Sequence, residues 1–268
     1  LKSSNEKLES KVEARTKVLS EALAELEKSK LELNEALEKE KELNELKTRF
    51  ISIASHEFRT PLTTILSSAS LIPEYPQSEQ QEKRVKHVTR ITSAVHNLND
   101  ILSDFLSISK IEEGKVLPDF STFNLKELIE EIIGDMKSMC KAGQQFIFNH
   151  SGNEKVYLDK KLVRNILINL FSNAIKFSDE NKQISIDTNV APNVITIKVK
   201  DEGIGISKED KKHLFERFFR GHNAMNIQGT GLGLSIVANY VELMNGKIEM
   251  HSTLEKGTVI NLMFDNSI

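Results

Sequence analysis

The sequence predicts an N-terminal coiled coil and helical hairpin, the hairpin completing a four-helix bundle as a dimer, followed by an α+β sandwich. Three observations carry this fold class. Residues 1–47 contain neither Gly nor Pro and repeat apolar residues at heptad spacing. The next stretch holds two long apolar stripes parted by a proline-rich turn. Beyond Pro118, short runs that alternate apolar and polar residues are interspersed with amphipathic helices. The divisions that follow are 1–45 for the coiled-coil helix, 46–117 for the hairpin and 118–268 for the sandwich.

In the first segment Val12, Leu19, Leu26 and Leu33 take heptad position a, and Leu8, Ala22, Ala36, Leu43 and Phe50 take position d. Arg15, Ser29, Glu40 and Lys47 interrupt this seam, so it should be weak by itself and easily shifted. At 1.5 Å per residue the segment would be about 70 Å long. Apolar residues then continue seven apart at Ile51, Phe58, Ile65 and Ile72, and "PEYPQSE" (73–79) makes the turn. The returning helix steps through Val88, Ile91, Val95, Leu98, Leu102 and Phe105, ends near Gly114 and is blocked from continuing by Pro118. Two helices alone bury little surface, which is why a dimer is expected.

The third segment begins with a helix capped by Asn124 and running to about Ala142, then a strand at "QQFIFN" (144–149) and a helix from Asp159 to Phe177. Strands follow at "QISIDTN" (183–189) and "VITIKVK" (194–200). A polar stretch, 207–228, leads into a helix over 232–246 with Gly246 as its C′ residue. A hairpin of "KIEMHST" (247–253) and "TVINLMF" (258–264) closes the chain.

Composition narrows the function classes. The chain has 268 residues, 39% hydrophobic and 28% charged, the balance of a soluble protein. No apolar run approaches the ~18 residues of a membrane span, and no signal peptide is expected within these residues. A net charge of -3 gives no support for a nucleic-acid surface. Cys140 is the only cysteine, so neither a disulfide framework nor a cysteine zinc site is expected, and the expected compartment is the reducing cytoplasm. The chain begins at Leu1, not Met, and is expected to be part of something longer.

Three stretches of the sandwich carry chemistry. In "NILINLFSNAIKF" (165–177) Asn169 and Asn173 are i,i+4 neighbours with Lys176 three further on, a polar strip beside the core stripe Val163, Ile166, Leu170 and Ala174. Asparagine is a mediocre helix former, so the pair needs a reason: amide oxygens suit a hard cation such as Mg²⁺, and the lysine suits a phosphate. "KVKDEGIGIS" (198–207) ends a strand in Asp201 and then places Gly203 and Gly205 in a tight turn. A carboxylate there can accept from an exocyclic amine such as that of adenine, while glycines let backbone approach a flat ligand. "GTGLGLSI" (229–236) sets Gly229, Gly231 and Gly233 before a helix start, an arrangement suited to phosphate. It is neither a Walker A nor a Rossmann sequence. Taken singly, each stretch is equally readable as a solvated helix face, an ordinary turn or a flexible loop.

Their order is more specific than any one of them. An Asn helix, a D-x-G-x-G turn and a G-x-G-x-G loop within 70 residues resemble the Bergerat ATP-binding fold of DNA gyrase, MutL and sensor histidine kinases. "SHEFRTPL" upstream and "FERFFR" (215–220) between the glycine motifs narrow the resemblance to sensor histidine kinases of two-component systems, over roughly residues 46–268. "LESKVEARTKVL" also looks like the signalling helix that precedes such kinase cores.

The resemblance implies autophosphorylation by ATP on His56, and transfer to an aspartate in the receiver domain of a response regulator. It also implies a homodimer, phosphatase activity on the phosphorylated regulator, and a sensor domain upstream of this chain. Glu57 matches the acidic residue that hydrogen-bonds the imidazole, and Thr60 the residue that positions water for dephosphorylation. Pro61 removes the hydrogen bond to the Glu57 carbonyl and favours a bend there. Asn173 matches the Mg²⁺ ligand, Asn169 the amide near the phosphates, Lys176 a phosphate contact and Asp201 the adenine reader. Gly203 and Gly205 frame the base, Arg220 matches a lid residue near the triphosphate, and Gly229, Thr230, Gly231, Leu232 and Gly233 belong to the lid's far anchor. Phe177 stands where many members have Tyr, losing a hydroxyl that could contact nucleotide, and Glu202 stands where many have Asn. The other six histidines belong to no motif and are read as surface or structural. Two alternatives from other classes are a pseudokinase or scaffold that binds ATP without phosphoryl transfer, and an ATP-driven clamp. Intact His56, Glu57, Asn169, Asn173 and Asp201 oppose the first, and the missing transducer domain opposes the second.

Overall fold

The computed structural model describes residues 2–224, 227 and 229–266, with the side chains at 2–10, 13–14, 42–43, 46–47, 49 and 112 left out of the description. The chain divides into two units, 1–52 and 53–268. Helix α1 (Lys2–Leu71) accounts for the first unit. There the predicted a-position residues Val12, Leu19, Leu26 and Leu33 are 58–69% exposed, an apolar stripe facing water. Leu8, Leu43 and Lys47 of the predicted seam lie outside the described side chains.

In the second unit the end of α1 and helix α2 (Gln81–Glu112) form the predicted hairpin. Pro61 lies inside α1 without ending it. The turn between the helices is held by Arg84, whose guanidinium donates to the carbonyls of Tyr75 and Gln77. Phe58 meets Phe105 edge to face, with ring centroids 5.7 Å apart.

The rest of the unit is strand β1 (Ser121–Asn124), helix α3 (Leu125–Met136), strands β2 (Gln145–Gly152) and β3 (Lys155–Leu158), and helix α4 (Lys160–Phe177). After these come strands β4 (Gln183–Val190) and β5 (Val194–Asp201), helix α5 (Gly233–Leu243), and strands β6 (Lys247–Thr253) and β7 (Gly257–Asp265). Five strands form one sheet in the order β2-β4-β5-β7-β6, with β2 parallel to β4 and every other pair antiparallel. Alternate residues of β4, β5 and β7, among them Ile186, Ile197 and Leu262, are buried in one core with Ile132, Leu167, Phe171 and Val237 of the helices. This is the α+β sandwich that the alternation predicts. Asn124 and Asp159 both cap as expected, accepting from Glu127 N and from Lys161 and Leu162 N.

Three details depart from the sequence reading. β1 and β3 pair antiparallel as a separate two-stranded sheet that four-residue runs did not announce. α3 stops at Met136, short of Ala142, because the segment after it is recruited elsewhere. Buried Gln144 accepts from Lys141 N and donates to the carbonyls of Ile175, Ser178 and Asp179, closing the C-terminal end of α4. At the end of α5 the left-handed residue is Asn245 (φ 55), not Gly246. Gly246 is one position further on, donating to Val241 O at 2.8 Å in a Schellman motif. It is required there because a Cβ would lie 2.5 Å from the Phe264 ring. No helix among the described residues is long and apolar enough to cross a membrane.

Candidate active site

A cavity of about 730 Å³ opens beside α4 and takes walls from the D-x-G-x-G turn, the glycine-rich loop, α1 and α2. α4 turns Val163, Ile166, Leu167, Leu170, Phe171 and Ala174 into the core. That choice of face leaves Asn169, Asn173, Lys176 and Phe177 lining the cavity. Asn169 donates to Asn165 O at 3.1 Å, which directs its amide oxygen towards the start of α5, 2.7 Å from where a Cβ on Gly233 would be. Asn173 has no hydrogen-bond partner among the described residues, so its amide oxygen is available to a hard cation that takes one or two protein ligands alongside phosphate and water. These donors fit Mg²⁺.

Lys176 places its ammonium against Gly229, 2.6 Å from the position a Cβ would take there, and 5.4 Å from the Phe177 ring centroid. Burial, then the Arg220 charge, lower its pKa, and Glu57 and Asp104 oppose the shift. A partly desolvated cation of this kind interacts strongly with an anion that replaces water. At the other side Asp201 ends β5. Its Oδ1 accepts from Gly203 N at 2.9 Å and Thr258 N at 3.1 Å, which fixes the carboxylate and leaves Oδ2 for a ligand. Burial raises the Asp201 pKa, and the two backbone hydrogen bonds moderate the rise.

Of the expected glycines, Gly205, Gly229, Gly231 and Gly233 line the cavity. Gly205 adopts φ +65, and a Cβ there would lie 1.9 Å from Thr253 O. Its close neighbour is therefore the backbone at the end of β6. Gly203 lies against Phe177 O, is buried and does not line the cavity. Leu232 is also buried, in the core, and does not line it, whereas Gly229, Thr230, Gly231 and Gly233 do. Phe218 N donates to Gly231 O at 3.0 Å, tying "FERFFR" to the glycine loop. Arg220 donates to Ile227 O at 2.6 Å and Ala224 O at 3.2 Å, and Nη1 lies 3.8 Å from Glu57 Oε1.

His56 sits on the outer face of α1 with its side chain 76% exposed, and neither it nor Thr60 lines the cavity. Its Nδ1 is 3.6 Å from Glu57 Oε1, too long for the expected hydrogen bond. Glu57 is buried in the cavity wall, where its Oε1 lies near both His56 Nδ1, at 3.6 Å, and Arg220 Nη1, at 3.8 Å. Thr60 Oγ1 donates weakly to His56 O at 3.4 Å. Of the other histidines, His222 pairs with buried Asp210 at 2.7 Å, and His87 is buried with its ring stacked on Tyr75. Burial alone would raise the Asp210 pKa, but hydrogen bonds donated to the carboxylate by His222 and by the Ser207 hydroxyl outweigh it and lower the pKa.

Sequence reasoning missed the α2 wall. Asn97, Asp100 and Asp104 all line the cavity, and Asp104 Oδ2 accepts from Thr230 Oγ1 at 3.0 Å. Burial lifts the Asp104 carboxyl to about 6, with the Thr230 hydrogen bond opposing, Asp100 adding to the rise and Lys176 opposing it. The i,i+4 spacing of Asp100 and Asp104 beside core residues Ile101, Phe105 and Ile108 was legible, but nothing in it names the loop that α2 meets.

Comparison with known families and structures agrees with this geometry. Residues 46–114 match the His Kinase A (phospho-acceptor) domain. Residues 158–268 match the histidine kinase-, DNA gyrase B- and HSP90-like ATPase family. The sensor protein GacS of Pseudomonas syringae pv. syringae is 32% identical over 272 residues, covering 96% of this chain and 29% of GacS. The chain thus spans less than a third of that relative's length. The structure of the Acinetobacter baumannii histidine kinase AdeS superposes with a TM-score of 0.60 at 22% identity, covering 80% of this chain and 98% of that one, a likeness of fold. The histidine kinase ThkA, solved in complex with the response regulator protein TrrA, gives a TM-score of 0.56 at 25% identity, covering 80% of this chain and 60% of that one. With a phosphoacceptor hairpin, a Bergerat-type ATPase sandwich and a cavity that gathers their motifs, the chain belongs to the sensor histidine kinases of two-component systems.

Proposed function

We propose that the chain binds ATP in the cavity beside α4, transfers the γ-phosphoryl group to His56, and passes it on to an aspartate of a response regulator. The observation that carries this reading is the cavity wall itself. Asn169, Asn173, Lys176, Asp201 and the glycine loop share one cavity with Glu57, the residue next to His56. Asp201 Oδ2 accepts from the exocyclic amine of adenine, and Lys176 and Arg220 face the phosphates. Asn173 would hold Mg²⁺, with the Asn169 amide beside it. When bound, the cation neutralises charge on the phosphate oxygens. A ring nitrogen of His56 attacks the γ-phosphorus, forming the N–P bond as the bond to the bridging oxygen breaks and ADP leaves. Glu57 holds the imidazole at its other nitrogen, which requires it to close the 3.6 Å gap and release Arg220 towards the phosphates.

Thr60, on the same exposed face as His56, positions water for dephosphorylating the regulator. The solved ThkA–TrrA complex supports a receiver-domain partner. Residues 1–45 act as a signalling helix, 46–117 as the dimerisation and phosphotransfer hairpin and 118–268 as the ATP-binding catalytic domain, on the cytoplasmic side of whatever sensor precedes them. Leu62 and Leu66 on α1, and Val88, Val95, Leu102 and Leu106 on α2, are exposed apolar residues that a second hairpin would cover, which supports a homodimer. Incubation with γ-labelled ATP followed by parallel acid and alkaline washes tests the activity. A phosphohistidine survives alkali and is lost in acid, whereas a scaffold that only binds ATP retains no label.

A further inference from the structure

α2 reaches into the cavity with a carboxylate that neither the ATP motifs nor the phosphoacceptor motif uses. Asp104 Oδ2 accepts from Thr230 Oγ1 at 3.0 Å, and the same hydroxyl accepts from Leu232 N at 3.2 Å, so α2 is tied to the middle of the G-T-G loop. Lys176 stands against Gly229 of the same loop. Asp100, one turn back along α2, lines the same cavity, and α2 is seated there by buried Ile101, Phe105 and Ile108. Two carboxylates therefore wall the part of the cavity where Lys176, Gly229 and Thr230 gather.

We propose that Asp104 makes the seating of α2 sensitive to the charge of the bound nucleotide: the Asp104–Thr230 contact and a triphosphate exclude one another, whereas adenosine and α2 are held together. The inference rests on the reading of the cavity as an ATP site. Its basis is a shortage of donors. The Thr230 hydroxyl and the Lys176 ammonium serve either Asp104 or a phosphate, and a polyphosphate beside two carboxylates in a partly dehydrated cavity is repelled. The elevated pKa of Asp104 agrees, since its carboxylate is buried with too few donors to offset the lost water. The seated arrangement is thus poised to open, and ATP is the ligand that opens it.

The test is equilibrium binding of adenosine, ADP and ATP to the whole chain at about pH 8, comparing wild type with Asp104→Asn. Asparagine keeps the shape and can still accept from Thr230, while removing a buried charge. ATP affinity relative to adenosine affinity is expected to rise by about tenfold or more in the variant, the scale of one charge pair at short range in a cavity of intermediate dielectric. Adenosine affinity itself should not change. A second readout uses spin labels at exposed positions Lys110 and Lys182 in a Cys140→Ser background. ATP should lengthen that distance in the wild type and adenosine should not. An unchanged ATP-to-adenosine ratio, or a distance indifferent to ATP, overturns the inference while leaving the ATP site intact. Failure of both proteins to bind any of the three ligands overturns the ATP-site reading and the inference with it.

Discussion

Replacing Asp201 with Asn separates ligand recognition from folding at the adenine end of the cavity. An Asn amide oxygen can still accept from Gly203 N and Thr258 N, which are 2.9 and 3.1 Å from Asp201 Oδ1. The amide nitrogen then occupies the Oδ2 position and presents a donor to the donor of adenine. The lost hydrogen bond involves a charged acceptor, worth about 1.5–3 kcal/mol, so ATP affinity should fall by roughly 10–100-fold. The folded pKa of Asp201 is raised by burial, so its ionised form costs stability once pH exceeds that folded value, and the cost is relieved as pH falls through it. Removing the charge should therefore leave the thermal midpoint at pH 7 unchanged or higher. Wild-type ATP affinity should also fall with acidification, starting at a pH above the ordinary aspartate value, because a proton on Oδ2 turns the acceptor into a donor. Calorimetric titration with ATP and a thermal melt on the same samples check both halves. Undiminished ATP affinity in Asp201→Asn, or weakened binding explained by a lower melting temperature, refutes the reasoning.

Gly205→Ala should lower stability by about 2 kcal/mol or more, since it combines a left-handed backbone with a Cβ 1.9 Å from Thr253 O; denaturant unfolding measures it. The excess ATP-to-adenosine ratio of Asp104→Asn over wild type should shrink as pH drops from about 8 to 5.5. Wild-type Asp104 takes up its proton through about 6 in the seated form, while Asp100, Lys176, Glu57 and Arg220 around the same cavity are common to both proteins. Thr60→Ala should keep autophosphorylation and slow the loss of phosphate from the regulator, as followed by gel autoradiography; a parallel fall in both rates would make Thr60 structural. In the full-length protein, deleting residues 29–35 should leave stimulus-regulated output nearly normal, because seven residues change helical phase by only ~20°. Deleting Ser29 and Lys30 alone turns the helix by about 200° and should lock or invert output, read as regulator phosphorylation with and without stimulus.

What the sequence made legible is what depends on periodicity and local chemistry. The α4 stripe that ends at Ala174 necessarily puts Asn169 and Asn173 on its flank, and Asn124 and Asp159 announce their helices by capping them. The alternation in β4, β5 and β7 gave the sandwich. What stayed hidden depends on contacts between distant segments. Gln144 reads as a polar residue in a loop, yet it closes α4 across more than thirty positions, and this is why α3 ends early. Gly205 lines the cavity and also admits the Thr253 backbone, a neighbour that stayed hidden because a sequence shows where a Cβ is missing but not what fills the space. Glu57 was expected beside the imidazole, and its Oε1 lies 3.6 Å from His56 Nδ1, but its second neighbour, Arg220 Nη1 at 3.8 Å, is one that local spacing does not announce. The Asp104–Thr230 bond joins residues 126 positions apart, and no motif spans that gap.

The most direct test of the central claim is site mapping of phosphate after incubation with ATP, in the wild type and in His56→Gln, with samples kept alkaline until mass analysis. The account predicts a single acid-labile phosphoryl group on His56 in the wild type, none in the variant, and ATP binding of equal affinity in both, since His56 lies outside the cavity wall. Acid-labile phosphate on His56→Gln, or a wild type that binds ATP and Mg²⁺ yet never phosphorylates His56, would contradict it.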